Sequence, residues 1–212
     1  MSKKKVGWKK VVAVSVITTS LGLGFWASKA FYTIKEVVDG DTFVTNENRY
    51  VRLDSVNAPE LEFCLGKEAK EEMKKLVLNK KVFLKVTYVD DRNRLVASVY
   101  TMNGNVGEKM LVKGLATFKD KGTQQGTNLS KIESAARKAM IGIYSPMCTQ
   151  TENPGNSKCN IKGNVVEDGM FYHHPGCQSY ATTLVQLYLG DKWFCTESEA
   201  IRAGFIKADN CP

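Results

Sequence analysis

The sequence has few of the residues that mark specialised classes of protein. Among its 212 residues there are five prolines and two histidines, and no segment repeats along the chain. With 43% hydrophobic and 25% charged residues, the composition excludes a collagen, a coiled-coil rod, a polytopic membrane protein and a largely disordered chain. The length is enough for one medium domain with its own core and a smaller second unit.

Acidic residues are absent from the first 30 positions, where six lysines stand. Residues 11–28 carry no charge, and Ser28-Lys29-Ala30 places small residues on either side of a variable one. This layout predicts a cleaved export signal, with an uncleaved N-terminal membrane anchor as the alternative. In either case we expect the folded part to be exported: secreted, periplasmic, or anchored outside the cytoplasm.

The net charge of +8 is weaker evidence for nucleic-acid binding than it first looks, because six of the positive charges lie in that segment. Residues 31–150 carry 19 basic and 15 acidic groups, a net of +4, and residues 151–212 carry 5 and 7, a net of −2. Bulk attraction to phosphate should therefore be weak, and binding should depend on individually placed arginines.

CxxC pairs are absent, which argues against a zinc ribbon. All six cysteines follow the N-terminal segment, and an even number in an exported chain favours disulfides, although 15 pairings are possible. A tetrahedral zinc site in the last third of the chain is the less favoured alternative. Its candidate ligands are His173, His174, Cys177, Cys195 and Cys211; the remaining cysteines are Cys64, Cys148 and Cys159.

Strand-like segments separated by turn signals dominate the first half of the chain after residue 30. They are YTIKEVV, DTFVTN, RYVRLDSV, KVFLKVTYV and LVASVYTM. Helical periodicity predicts helices over 67–79, 105–115 and 128–140. Five short strands, with a helix between the third and the fourth, predict a β-rich α+β domain: a five-stranded barrel of the oligonucleotide-binding (OB) type over 31–148.

The rest of the chain predicts a smaller unit. Residues 149–158 are polar and read as a linker, and 159–212 hold four of the six cysteines. This suits a small disulfide-rich α+β module, because so short a unit needs covalent staples. Its sequence CNIKGNVV predicts a strand, and Thr196-Glu197-Ser198-Glu199 is a capping-box signature for a final short helix.

Three β-rich segments carry an unusual set of charged and amide side chains: VVDGDTF at 37–43, YVRLDSVNAPE at 50–60 and DDRNRLVASVY at 90–100. Carboxylate, amide and carbonyl oxygens are what a hard cation binds. Paired guanidinium groups hold phosphate oxygens, and a carboxylate near a metal-side water can act as general base. Each residue alone also suits an ordinary turn or surface, but together they favour phosphodiester cleavage. The set is Asp41, Arg52, Asn57, Glu60 and Arg94.

Together with GKEA at 66–69 and LVKGLA at 111–116, these segments resemble the thermonuclease (staphylococcal nuclease) family over roughly residues 31–145, with the motifs in the family's order. The resemblance implies an OB-type barrel and calcium-dependent hydrolysis of DNA and RNA. It implies that Asp41 binds calcium, that Glu60 is the general base, and that Arg52 and Arg94 contact the phosphate.

The chain departs from the family at three points. Asn57 stands where the family has its second calcium carboxylate, so we expect weaker Ca²⁺ binding. The next residue is Ala58, which can offer only its backbone carbonyl. The family's base-stacking tyrosines are unmatched: Arg92 stands where the family often has Tyr, and Phe118 is the only aromatic residue in TFKDKGTQQG, the segment that follows GLA. We therefore take Arg92 and Phe118 as the candidate substrate-binding residues.

The sequence around Cys64 and Cys148 looks similar to that of some exported members of the family. The resemblance therefore favours a disulfide between these two cysteines. The region after residue 158 resembles a small module appended to some thermonuclease relatives. Its turn and last helix are also similar to the zinc module of the Ada methyl-transfer repair proteins. We assign no chemistry to this module.

Two hypotheses follow from the sequence. The first is an exported calcium-dependent nuclease acting on DNA or RNA, with no obligate protein partner and with membrane contact only through an uncleaved N-terminal segment. The second is a catalytically weakened barrel that binds nucleic acid or protein at the cell envelope, for which Asn57 is the main support.

Overall fold

The computed structural model describes residues 31–119 and 124–212. The predicted export signal or anchor, residues 1–30, lies outside them. The strands are β1 (Phe31–Val37), β2 (Thr42–Thr45), β3 (Tyr50–Leu53), β4 (Val56–Asn57), β5 (Lys81–Val89), β6 (Leu95–Thr101), β7 (Gly104–Asn105), β8 (Thr117–Phe118), β9 (Thr149–Gln150), β10 (Ile161–Val166), β11 (Gly169–His173), β12 (Val185–Gln186), β13 (Lys192–Phe194) and β14 (Ile206–Lys207). The helices are α1 (Gly66–Val77), α2 (Val106–Val112), α3 (Gln124–Lys138) and α4 (Glu197–Arg202).

Five strands close into a barrel, which confirms the predicted fold class. They follow the order β3-β2-β1-β5-β6, and a parallel pairing of β3 with β6 closes the ring. The register shifts between Ile34 and Glu36 in β1, and between Val86 and Tyr88 in β5. Such bulges bend strands, as closure of a small barrel requires.

Alternation along the strands separates the barrel interior from its outer surface. On β3, Val51 and Leu53 are buried in the core, so Arg52 between them faces outward. On β6, Leu95 and Ala97 are buried in the same core. Helix α1 closes one side with residues at helical spacing: Ala69, Met73 and Val77.

The helices begin and end close to their predicted limits, and local signals explain the differences. Helix α2 begins at Val106 because the Asn105 side chain caps it, accepting from the Glu108 amide at 3.1 Å. The backbone turns to positive φ at Gly114 (59°) after α2 and at Met140 (51°) after α3. Both helices therefore stop before the ends that periodicity predicts.

The tail, residues 159–212, has its own sheet in the order β13-β10-β11-β14. Its first strand is the predicted CNIKGNVV segment, and the Thr196 hydroxyl caps α4 by accepting from the Glu199 amide at 3.2 Å. Two disulfides hold it, Cys159–Cys195 and Cys177–Cys211. The tail is therefore the disulfide-rich α+β unit that its cysteine content predicts.

A short sheet joins the tail to the predicted linker. Strand β9 pairs with β12 of the tail, so the first two residues of the predicted linker lie in a sheet. The residue before β9, Cys148, is bonded to Cys64, just before α1. Residues 31–212 form one compact unit, and the division at 148–159 stays a prediction. Within the described residues, no helix has the length and apolarity needed to cross a bilayer.

Candidate active site

The turn between β1 and β2 is built to present one carboxylate. The Asp39 carboxylate accepts from the backbone amides of Asp41, at 2.9 Å, and Thr42, at 2.7 Å, which fixes a tight Asx turn. A Cβ on Gly40 would lie 2.5 Å from the Ala58 Cβ and 2.7 Å from the Ala69 Cβ. Only glycine therefore lets this turn pack against the chain that leads to α1.

The Asp41 carboxylate at the end of this turn is 3% exposed. Its Oδ1 pairs with the Arg52 guanidinium and accepts from the Thr42 hydroxyl at 2.9 Å, and its Oδ2 accepts from the Ala58 amide at 3.0 Å. Burial raises the pKa of Asp41 to about 6; Arg52 opposes that shift and Asp39 adds to it. The Asp41 site is therefore short of positive charge even with Arg52 in place.

Arg52 joins two of the predicted metal ligands. It lies in β3, opposite Thr42 of β2 and Val96 of β6. Besides pairing with Asp41, its guanidinium donates to the Asn57 Oδ1 at 2.7 Å. The structure thus brings Asp41, Arg52 and Asn57 into one hydrogen-bonded group on the outer barrel surface, with the Ala58 amide as a fourth member.

Strand β4 holds Asn57 in this position by pairing with β8. Asn57 lies opposite Thr117, whose hydroxyl donates to the Asn57 carbonyl at 3.3 Å. Phe118 lies opposite Val56 and packs, half-buried, against the barrel core. Phe118 is therefore beside the site, but its ring contributes to packing, and its predicted contact with substrate stays a prediction.

Arg94 stands directly before β6, in the strand that pairs with β3. Val96 lies opposite Arg52, and Arg94 precedes Val96 by two residues, so alternation places both arginines on the outer face. The Arg94 Nε donates to the Asp90 Oδ2 at 2.8 Å, and its amide donates to the Oδ1 at 2.9 Å. Hydrogen bonds from Arg94, first of all from its backbone N–H, hold the pKa of Asp90 below its ordinary value.

Asp90 is a site residue that sequence reasoning missed. Its spacing of four residues from Arg94 was the available signal, since an acid and a base so placed often pair. Here the pair spans a turn, with the Asp90 amide donating to the Arg94 carbonyl at 3.0 Å. The contact fixes the stem of the Arg94 side chain.

Glu60 is exposed and is positioned through its backbone. Its carbonyl accepts from the Phe63 amide at 3.0 Å, and a Cβ on Gly66 would lie 1.9 Å from that oxygen. The start of α1 can therefore press against the Glu60 peptide only because residue 66 is glycine. Arg92 is also exposed, and its amide donates to Asp90 at 3.0 Å. Neither side chain belongs to the hydrogen-bonded group around Asp41.

The oxygens of this group suit a hard cation such as Ca²⁺. Asp41 offers a carboxylate, Asn57 an amide oxygen and Ala58 a backbone carbonyl, all of them ligand types that Ca²⁺ takes. In the structure the side-chain oxygens of Asp41 and Asn57 both accept from Arg52. These ligand types fit Ca²⁺. Because Asp41 supplies the one carboxylate among them, we expect the affinity for Ca²⁺ to be modest.

Residues 50–146 match the family model described as staphylococcal nuclease homologue. This part of the chain belongs to the staphylococcal nuclease family. The matched segment includes Arg52, Asn57, Glu60 and Arg94. Asp41 precedes the segment, and its place in the site is given by its bonds to Arg52 and Ala58.

Curated relatives agree with this family. The chain is 40% identical over 98 residues to an uncharacterised 38.1 kDa protein of Capnoides sempervirens, covering 45% of this chain and 28% of that protein. It is 34% identical over 115 residues to the staphylococcal-like nuclease CAN1 of Arabidopsis thaliana, covering 53% and 34%. It is 27% identical over 146 residues to the probable endonuclease LCL3 of Verticillium alfalfae, covering 62% and 51%. The chain thus spans between a quarter and about half of these relatives' lengths.

Proposed function

We propose that this chain is an exported, calcium-dependent nuclease that hydrolyses phosphodiester bonds of DNA or RNA. The observation that carries the proposal is the hydrogen-bonded group of Asp41, Arg52 and Asn57 on the outer barrel surface, with Arg94 on the same face of the neighbouring strand. Relatives named nucleases and endonucleases support it. So do three disulfides, which form and persist in oxidising compartments.

The two arginines bind the scissile phosphate and offset its charge in the transition state. Arg94 donates to Asp90 through Nε, so its two terminal nitrogens point away from that contact and can hold phosphate oxygens. Arg52 moves from the Asp41 and Asn57 oxygens to the phosphate when substrate and cation arrive. Its side chain is 26% exposed, so the phosphate can reach it from solvent.

Glu60 supplies the base. Its exposed carboxylate takes a proton from a water molecule as the water oxygen attacks phosphorus. The bond from phosphorus to the leaving oxygen breaks, and the leaving oxygen takes up a proton from solvent. Asp41, Asn57 and the Ala58 carbonyl hold the cation, which when bound polarises a phosphoryl oxygen and acidifies water. The three peptides between Asn57 and Glu60 keep base and cation ligands close along the chain.

The proposal is tested with the exported part of the chain, residues 31–212, and single-stranded DNA in Ca²⁺. We expect cleavage that EGTA stops, and a loss of about 10²- to 10⁴-fold in Glu60→Gln, because a general base contributes that much. The matched control is Glu62→Gln, two residues away and also exposed, which should cleave like the unaltered protein.

Full activity of Glu60→Gln would contradict the assigned base. Binding of DNA without cleavage at any Ca²⁺ concentration would instead support the alternative, a weakened binding barrel. Asn57 favours that alternative, since the site has lost one formal charge.

A further inference from the structure

Between the predicted linker and the tail there is a cleft that the proposed nuclease chemistry does not use. It lies between the 151–157 turn, β10 and β13, and its volume is about 470 Å³. This is within the range of roughly 300 to 1,000 Å³ typical of small-molecule sites. Its lining combines two aromatic rings, a buried amine and a polar rim: Tyr180, Trp193, Lys162, Glu152, Asn153 and Asn160.

Both aromatic side chains in the cleft are held by their polar ends. The Tyr180 hydroxyl donates to the Asn160 carbonyl at 2.7 Å, and the Trp193 Nε1 donates to the Gln150 Oε1 at 2.7 Å. Their rings are therefore fixed before any ligand arrives. Fixed rings bind with little loss of side-chain entropy, which favours recognition.

Lys162 forms the floor of the cleft and is 2% exposed. Its ammonium donates to the carbonyls of Tyr180, at 2.9 Å, and Thr183, at 2.7 Å. It also lies 4.3 Å from the centroid of the Tyr180 ring and 5.9 Å from that of Trp193. The ammonium of Lys162 thus already occupies the position near both rings that a cationic ligand would take. A cationic ligand would also be repelled by this ammonium, so we do not expect the cleft to bind one.

Polyanions are disfavoured as well. Residues 151–212, which include the tail, have a net charge of −2, with 5 basic and 7 acidic groups. The exposed charged side chain that lines the rim is Glu152. The buried ammonium of Lys162 already donates hydrogen bonds to two backbone carbonyls. A nucleic-acid strand would bring its phosphates towards a carboxylate, which weakens binding.

We propose that this cleft binds a neutral carbohydrate chain. A sugar ring presents C–H groups on one face, which pack on the electron-rich face of an aromatic ring, and hydroxyls at its edge. Glu152 accepts from those hydroxyls, and the side-chain amide of Asn160 both donates and accepts. Asn153 shapes the rim, because its side chain donates to the Cys159 carbonyl and accepts from the amides of Gly155 and Asn156. The exported nuclease domain would be retained by this contact on a glycan surface, and the proposal does not depend on catalysis.

The test is calorimetric titration of residues 31–212 in EGTA. The probes are tetramers of N-acetylglucosamine, of β-linked glucose and of α-linked glucose, with oligothymidine as the anionic comparison. We expect one of the tetramers to bind, and Glu152→Ala to weaken that binding about tenfold or more, as loss of hydrogen bonds to a charged group does. Trp193→Phe should weaken it too.

The control is Glu167→Ala, an exposed acid in the turn between β10 and β11 and outside the cleft, which should bind unchanged. The tetramer that binds identifies the kind of glycan: N-acetylglucosamine indicates a glycan of acetamido sugars, and either glucose tetramer indicates a glucan. Three outcomes would overturn the proposal: no tetramer binds at millimolar concentration, Glu152→Ala and Glu167→Ala bind alike, or oligothymidine binds in a manner that Trp193→Phe removes.

Discussion

Among the residues that the structure describes, the barrel core contains 19 buried hydrophobic residues, whereas the tail core contains five: Ile161, Tyr172, Phe194, Ala200 and Phe205. The tail compensates with two disulfides of its own, which close loops of similar length. A core this small buries too little apolar area to offset the ordering of its chain. We therefore expect the tail to be stabilised mainly by its disulfides, and the barrel mainly by burial of apolar side chains.

The two regions also treat a buried carboxylate differently. Asp191 in the tail accepts from three neutral N–H groups at 2.8 Å each: the Val165 amide, the Asn164 side chain and the Gln186 amide. Asp41 in the barrel pairs instead with a guanidinium that substrate can draw away. The first arrangement joins strands permanently, and the second keeps a charge available for exchange.

The strongest way to break the comparison is to remove a tail disulfide. Replacing Cys159 and Cys195 by Ser opens a loop of 36 residues, which should cost about 4 kcal/mol in the chain-entropy model. Hydrogen exchange should then show the tail amides losing protection while the barrel amides keep theirs. Equal loss of protection in both regions would contradict the division of roles.

The buried carboxylate of the barrel should reveal itself in the pH dependence of stability. Burial raises the pKa of Asp41 to about 6 in the native state, from an ordinary value of 3.8. Between those values the native state binds more protons, so its free energy of unfolding should fall as pH rises, by about 2 to 3 kcal/mol. Asp41→Asn should remove this slope in denaturant titrations in EGTA.

The matched control for that slope is Asp168→Asn, an exposed acid in the β10–β11 turn. It should leave the slope as it is. A slope that persists in Asp41→Asn would show that another group takes up the proton.

The close packing of the Asp41 turn predicts a steric effect in the barrel. Gly40→Ala places a Cβ within 2.7 Å of both Ala58 and Ala69, so it should cost about 1 to 3 kcal/mol as overpacking does. Cleavage should fall as well, because Asp41 and Ala58 are pushed apart. Gly155→Ala in the 151–157 turn, where the nearest atom to the added Cβ is 3.5 Å away, should change the denaturation midpoint little. Equal effects of the two substitutions would contradict the role of close packing at Gly40.

The smallest expected effect concerns the cation. Asn57→Asp restores a second carboxylate beside Asp41, and we expect Ca²⁺ to bind about tenfold more tightly, which is about 1.4 kcal/mol. Half-saturation of cleavage, measured against Ca²⁺ concentration, gives the shift. The control is the same substitution in the tail, Asn160→Asp, which should leave the half-saturating Ca²⁺ concentration unchanged. A shift of similar size in this control would contradict a cation at Asn57.

Sequence patterns predicted the barrel because its strands alternate and its helices follow one periodicity over many residues. Val51, Arg52 and Leu53 illustrate this, since the alternation alone places the arginine outside. The family resemblance then predicted the site residues, and the structure places Asp41, Arg52 and Asn57 in one hydrogen-bonded group. Roles such as base and cation ligand remain predictions.

Features that depend on distant contacts escaped sequence reasoning. Asp191 stands between a glycine and a lysine without any local pattern, and its partners are 5 to 27 residues away. The short strand Thr149–Gln150 is polar and reads as a linker, but it pairs with β12. The ion pair of Asp90 and Arg94 is an intermediate case. Their spacing of four residues is compatible with a pair, but it is not enough to predict one.

The Cys64–Cys148 bond has a topological consequence. It spans 84 positions, so α1, α2, α3 and two of the five barrel strands, β5 and β6, lie within one covalent ring. A protease that cuts this ring once leaves two chains that the disulfide still joins, with the loop that carries Glu60 tied at Cys64. Release of a fragment from within the ring requires a second cut there, and separation of the two chains requires a reductant, so the protein keeps its covalent connection after a single cut inside the ring.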